Sequence, residues 1–157
     1  MLFLQAVGKG GNHAYGCLSL AMDGKITLCM SEDCLDEINE VLRRPVVREK
    51  FPMLTDERVD LLIEWLRTYA EFVDPVEAHF EYPTDPKDEP YINLAIQAEA
   101  LFLVSWDRHI KRLADPKIEE GMRFKERYPR VRILDPQEFL NHYYRDPKLA
   151  EDSTTPS

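Results

Sequence analysis

Short runs of consecutive apolar residues alternate along the chain with stretches in which apolar residues recur every three or four positions. The runs that read as strands are residues 26–30, 71–74, 101–105 and 131–134. Leu101-Phe102-Leu103-Val104 has no polar alternation, the pattern of a strand buried on both faces within a helix-flanked parallel sheet. Between the runs, Ala14, Cys17, Leu18 and Ala21 repeat at helical spacing, and Cys34, Leu35, Ile38, Val41 and Leu42 form one apolar arc. Val59, Leu62, Ile63 and Leu66 give the clearest helical stripe. Asp23-Gly24 ends the first helix, Ser31 and Thr55 stand as N-caps of the next ones, and Pro45 is expected to stop the helix that Ser31 starts. A further helix is predicted over residues 90–100, because proline is favoured at the first helical position. Residues 110–128 are weakly helical and are expected to break at Gly121. Asp135-Pro136-Gln137-Glu138 reads as a capping box ahead of a last helix through Phe139 and Tyr143. Strands alternating with helices predict an α/β fold, a parallel sheet wrapped by helices.

Length and composition refine this picture. The 157 residues, 44% of them hydrophobic, suit a single domain over residues 1–144 with its own core. The polar stretch 145–157, with Pro147 and Pro156, reads as a disordered tail. Residues 1–7, MLFLQAV, are too apolar for a free tail, and Gly8, Gly10, Gly11 and Asn12 make a loop after them. No apolar run approaches the length of a membrane span, and the amino terminus lacks the basic lead of a signal peptide. Three cysteines without metal-type spacing suit reduced thiols and a cytoplasmic location. A formal net charge of −9 argues against a protein that coats nucleic acid by charge alone. Within that acidic chain, however, residues 108–132 hold nine basic residues against four acids, a local excess of +5.

The candidate chemistry lies in the acids around the third strand. Asp107 emerges at the carboxyl end of that strand, where open α/β sheets bind ligands. Asp85, Asp88 and Glu89 precede the helix before it. Each acid has a structural reading too: Asp88 or Glu89 as a cap of the following helix, Asp107 as a cap of a short helix through Ile110 and Leu113. Whether the acids at 88 and 107 meet depends on how helix and strand pack, which spacing leaves open. On the helix after Ser31, Glu37 lies nearer the apolar arc than Glu32, Asp33, Asp36 or Glu40, so it is the acid expected to turn toward the protein. Carboxylates without histidine or cysteine partners suit Mg²⁺ or Mn²⁺, and such an ion on a phosphate supports phosphodiester hydrolysis. The basic residues Arg108, Lys111 and Arg112 could hold the backbone of single-stranded RNA. No phosphate-cradling glycine loop follows any strand, which argues against nucleotide-cofactor enzymes. His13, His79, His109 and His142 form no triad or zinc pattern and read as surface residues.

SEDCLDEINEVLRRP, then DPKDEPYINLAIQAEALFLVSWDRHI, then VRILDPQEFL together resemble the PIN-domain family, in particular the VapC-like toxin components of toxin–antitoxin systems. The resemblance covers residues 3–140. It implies a three-layer α/β/α fold around a central parallel sheet and a Mg²⁺- or Mn²⁺-dependent endoribonuclease. It also implies a homodimer inhibited by a cognate antitoxin. By position, Glu37, Asp88 and Asp107 match three of the family's acids, as metal ligands and catalytic groups, with Asp85 and Glu89 as helpers. Family members begin with an apolar strand ending in aspartate at the middle of the sheet. Here Met1-Leu2-Phe3-Leu4-Gln5-Ala6 matches the helix that follows that strand, so either the true start lies upstream and Met1 is an internal methionine, or the protein is a truncated relative whose sheet has an unfilled central slot and one acid fewer.

Two other readings remain. One is a catalytically impaired PIN-like module that binds an antitoxin or RNA without cleaving. The other is a different acid-dependent α/β fold, such as a phosphatase or phospho-acceptor domain, although no strand ends in the paired acids that such sites need.

Overall fold

The computed structural model describes residues 12–146. The expectations for residues 1–11, and for the tail beyond 146, lie outside that range. The chain runs α1 (His13–Met22), β1 (Cys29–Met30), α2 (Glu32–Arg43), α3 (Pro45–Lys50), α4 (Asp56–Tyr69) and β2 (Glu71–Phe72). A 3-10 turn (Pro86–Asp88) leads into α5 (Glu89–Gln97) and β3 (Phe102–Val104), followed by α6 (Arg108–Arg112), α7 (Glu119–Arg127), β4 (Arg132–Leu134) and α8 (Pro136–Arg145). None of these helices is long and apolar enough to cross a membrane.

Helix starts follow the local chemistry. Ser31 Oγ accepts the Cys34 N–H at 3.2 Å, and Thr55 Oγ1 accepts that of Arg58 at 3.3 Å. The capping box is complete: Asp135 Oδ1 accepts the Glu138 N–H at 2.9 Å, and Glu138 Oε2 accepts the Asp135 N–H at 2.7 Å. Pro45 both stops α2 and opens α3, since a first-turn N–H has no intrahelical partner to lose. Gly121 does not break the helical stretch but lies inside α7, where a Cβ would come within 2.1 Å of the Asp115 carbonyl oxygen. The interruption falls earlier, at Asp115-Pro116. Helix α8 runs through Arg145, which therefore belongs to the helix rather than to the tail.

The parallel sheet expected from the apolar runs is present in two pieces. β1 pairs with β2, Cys29 opposite Glu71, and β3 pairs with β4, Leu103 opposite Ile133; both pairs are parallel. Among the described residues no ladder joins the two pairs. Between them lies a cleft of about 800 Å³, lined by Cys29 and Met30 from one piece and Phe102 to Ser105 from the other. The Arg132 N–H donates to the Leu101 carbonyl at 2.8 Å and the Ser105 N–H to that of Leu134 at 3.0 Å. Residues 101, 103 and 105 thus bond toward β4, and the alternation of a parallel ladder turns the peptide groups of Phe102 and Val104 to the cleft. On β1, the Leu28 and Met30 carbonyls accept from Glu71 and Val73 at 2.8 and 2.9 Å, which leaves Cys29 facing the cleft.

Helix α5 ties the pieces together. Leu94 packs in the cluster built on β1, α2 and α4, with Met30, Leu35, Leu42 and Leu66. Ile92 packs with Phe80, Leu113, Phe124 and Ile133 beneath β4. A third cluster joins Cys17 and Leu20 of α1 to Phe139 and Tyr143 of α8, with Phe102 against it. Each such buried aliphatic or aromatic side chain is worth about 1.5–3 kcal/mol, so the two halves are held by α5 even where no ladder joins them.

Candidate functional site

The carboxyl ends of β1 and β3 open onto one mouth of the cleft, and Glu37, Asp88 and Asp107 all line it. Each is brought there by a different element. Asp74 helps to seat α2, its carboxylate accepting the Glu32 N–H at 3.1 and 3.2 Å. One and a half turns on, Glu37 reaches the cleft, where its Oε2 accepts the Tyr91 hydroxyl at 2.5 Å. Glu37 is exposed and also lines the cleft.

Asp88 sits at the junction between the 3-10 turn and α5 and makes no capping hydrogen bond. Its Oδ2 is buried and meets no hydrogen-bond donor. Burial first, then the charges of Asp107, Asp85 and Glu37, push its carboxyl up to about 6; only His109 acts in the opposite direction. A buried, unpartnered acid among like charges is an unfavourable arrangement that a cation relieves.

Asp107 takes the capping reading offered for it and stands at the cleft as well. Its Oδ1 accepts the His109 N–H at 2.7 Å as the cap of α6, and the residue lines the cleft. Asp85 caps the 3-10 turn through the Lys87 N–H at 3.2 Å and turns Oδ2 to His109 Nδ1 at 2.7 Å. The His109 hydrogen bond is the main reason its carboxyl lies below the usual aspartate range. Neither expected helper, Asp85 or Glu89, lines the cleft. Glu89 Oε1 accepts the Tyr82 N–H at 2.7 Å, so it fastens the preceding loop instead.

His109 is the residue that sequence reasoning left on the surface. Its side chain is exposed, yet Nδ1 lies 3.9 Å from Asp107 Oδ1 as well as 2.7 Å from Asp85. Asp85, Asp88 and His109 each place one ligand atom within 4.8 Å of the others. The sequence signal was the spacing Asp107-Arg108-His109 beside a capping acid, but the partner at 85 is supplied only by the fold.

The basic segment is less open than its composition suggested. Lys111 Nζ pairs with Asp135 at 2.8 Å and Glu138 at 3.4 Å, reinforcing the start of α8. Arg123 lies over the Phe80 ring, Arg127 over Tyr128 and Arg132 over Phe102, at 5.3, 5.4 and 5.8 Å. Arg108 and Arg112 are exposed beside the site, and Lys87 lines the cleft.

Parallel strands joined through helices, with carboxylates gathered beyond their carboxyl ends, define an α/β domain whose chemistry is carried by acids. The sequence matches the PIN domain over residues 2–109, and the chain belongs to the PIN-domain family. The family is generally of nuclease type and uses divalent metal ions. The match takes in Glu37, Asp88 and Asp107 and ends at the start of the basic segment, after His109. No curated protein and no solved structure matches the chain. The residues present fit a divalent ion: the oxygen donors are hard, and the buried Oδ2 of Asp88 lacks a partner.

Proposed function

We propose that this PIN domain is a metal-dependent endoribonuclease, the VapC-like toxin of a cytoplasmic toxin–antitoxin pair, hydrolysing RNA phosphodiesters at the cleft mouth. The observation that carries the reading is the convergence of Glu37, Asp88 and Asp107, from three separate elements, on one mouth where Asp88 Oδ2 is buried without a donor. Asp88 and Asp107 hold the ion from the side of β3, and Glu37, steadied by Tyr91, faces them from α2. Mg²⁺ or Mn²⁺ bound there supplies an acidified water and charge neutralisation at the phosphate. Arg108, Arg112 and Lys87 attract the RNA backbone, while Lys111, paired with Asp135, contributes less than its position suggested. With the toxin reading come a homodimer and inhibition by a cognate antitoxin; both are tested by the mass of the purified protein, alone and with its partner.

The second reading, a module that binds RNA or antitoxin without cutting, is favoured by one observation: the sheet is split and the cleft edges of β1 and β3 have no strand between them among the described residues. The family resemblance implies a further parallel strand ending in aspartate in this gap.

The deciding experiment is cleavage of a labelled single-stranded RNA with Mn²⁺ or with EDTA, beside Asp107→Asn. Metal-dependent cutting that falls by orders of magnitude in the variant supports the enzyme. RNA affinity without cutting, equal in both proteins, supports the binding module.

A further inference from the structure

We propose that Asp85, Asp88 and His109 form a nitrogen-containing cation site that takes a transition ion such as Mn²⁺ in preference to Mg²⁺. It rests on the reading of the cleft mouth as a metal centre, and not on RNA being cut there.

The three donors come from two segments 24 residues apart, and the fold, not local spacing, brings their ligand atoms within 4.8 Å of one another. Each is held. His109 is fixed on both sides of its backbone, its N–H donating to Asp107 Oδ1 at 2.7 Å and its carbonyl accepting the hydroxyl of buried Tyr82 at 2.7 Å. Asp85 is oriented by the Lys87 N–H on Oδ1, so that Oδ2 is the oxygen offered to the site. Asp88, half-buried, supplies the third donor, and its Oδ2 is shielded from solvent with no hydrogen-bond donor. Side chains held this way lose little freedom when they bind an ion, which is what separates a site from a set of surface acids.

The nitrogen sets the preference. Mg²⁺ demands oxygen donors in near-ideal octahedral geometry, whereas imidazole suits first-row transition ions. Here Nδ1 and Asp85 Oδ2 share a hydrogen bond at 2.7 Å; an ion bound between them takes the neutral imidazole as the tautomer that carries its proton on Nε2, with Nδ1 left as the donor. Carboxylates alone would give no such bias.

The test is Mn²⁺ binding to the full chain by electron paramagnetic resonance, with Mg²⁺ as competitor, for the wild type, His109→Gln and Asp85→Asn, with melting curves to confirm folding. The expected result is a pulsed-resonance signature of a directly bound nitrogen in the wild type, lost in His109→Gln. In both variants Mn²⁺ affinity should fall about tenfold or more, the equivalent of about 1.4 kcal/mol, and in His109→Gln Mg²⁺ affinity should change far less. Three results would overturn the proposal: no Mn²⁺ binding by the wild type, no nitrogen signature, or equal losses for the two ions in His109→Gln. Cleavage is read separately. A chain that binds Mn²⁺ through His109 and leaves RNA intact removes the nuclease reading alone, and a chain that cuts RNA without a nitrogen signature removes this one alone.

Discussion

The Tyr91 hydroxyl donates to Glu37 Oε2 at 2.5 Å and so joins α5 to α2 across the mouth of the cleft. Burial, and then the Glu37 carboxylate, raise the phenol above the usual tyrosine range, so it remains a donor at neutral pH. The ring also packs against the core cluster beneath β1. A carboxylate on an exposed helix position thereby acquires a fixed direction. Tyr91→Phe keeps the packing and removes the bond. It is expected to cost about 0.5–1.5 kcal/mol, read as a lower denaturant midpoint at unchanged slope, and to weaken Mn²⁺ binding. A variant unchanged in both would show that Glu37 is held by other contacts.

Asp88 gives the protein a pH dependence of defined sign. Its carboxyl is pushed up from 3.8 to about 6, so ionisation opposes folding. The stability associated with the neutral acid is fully present below about pH 4 and is lost as pH rises through about 6. Asp88→Asn should therefore stabilise the protein at pH 7.5 by about 1–3 kcal/mol and leave its stability near pH 4 unchanged. Divalent ions need the ionised form, so their affinity should fall as pH drops through the same range. Calorimetric melts across pH, with and without Mn²⁺, measure both effects.

At Asp107, fold and chemistry can be separated by the choice of substitution. Asparagine is as good an N-cap as aspartate, so Asp107→Asn should leave stability within about 0.5 kcal/mol of the wild type, whereas Asp107→Ala should cost about 1 kcal/mol. Both should lose metal affinity. If Asn and Ala destabilise equally, the His109 N–H bond is not what makes this residue structural.

Asn93, one turn into α5 and buried, accepts the His79 and Phe80 N–H groups at 2.9 and 2.8 Å and donates to the Phe80 carbonyl at 3.2 Å. It fastens the loop that delivers Asp85. Asn93→Ala leaves two N–H groups without acceptors and is expected to cost about 2–4 kcal/mol. Chemical denaturation measures it, and a loss below about 1 kcal/mol would mean that the loop finds other acceptors.

Helix α5 ends with Glu99 at φ 51°, and the Ala100 N–H reaches back to the Ala95 carbonyl at 2.9 Å. Glycine is the usual residue in that left-handed closing position. Glu99→Gly should stabilise the protein by about 0.5–1 kcal/mol, visible as a higher melting temperature; a lower one would mean that the Glu99 side chain contributes at the rim of the cleft.

The residues that declare themselves in sequence are those whose role is local. Ser31, Thr55 and Asp135 act within a turn of where they stand, and the capping box is legible because both of its bonds close over three residues. The apolar runs at 101–105 and 131–134 locate β3 and β4 because they are local too, although the burial on both faces expected of 101–104 is not found: Leu101 is exposed, Phe102 to Val104 are half-buried, and Arg132 of β4 is exposed. Glu37 was legible through helical periodicity, and Asp88 and Asp107 through the block they share with the family. Where a turn depended on backbone approach, the sequence misled. Gly121 looked like a breaker, yet it is needed inside α7 because the Asp115 carbonyl comes too close for a Cβ.

The tertiary structure alone decided how the acids divide. Asp85 and Glu89 are both acids and stand four residues apart, but one turns to His109 and the other to the Tyr82 backbone. It alone paired Lys111 with Asp135 and set the exposed His109 against Asp85. The sequence determined an α/β chain of the PIN kind, with its caps, strands and three matching acids, because those features are carried by nearest neighbours along the chain. The split of the sheet, the cleft between its halves and the meeting of residues 85, 88 and 109 depend on contacts across many intervening residues, whose energies no local pattern records.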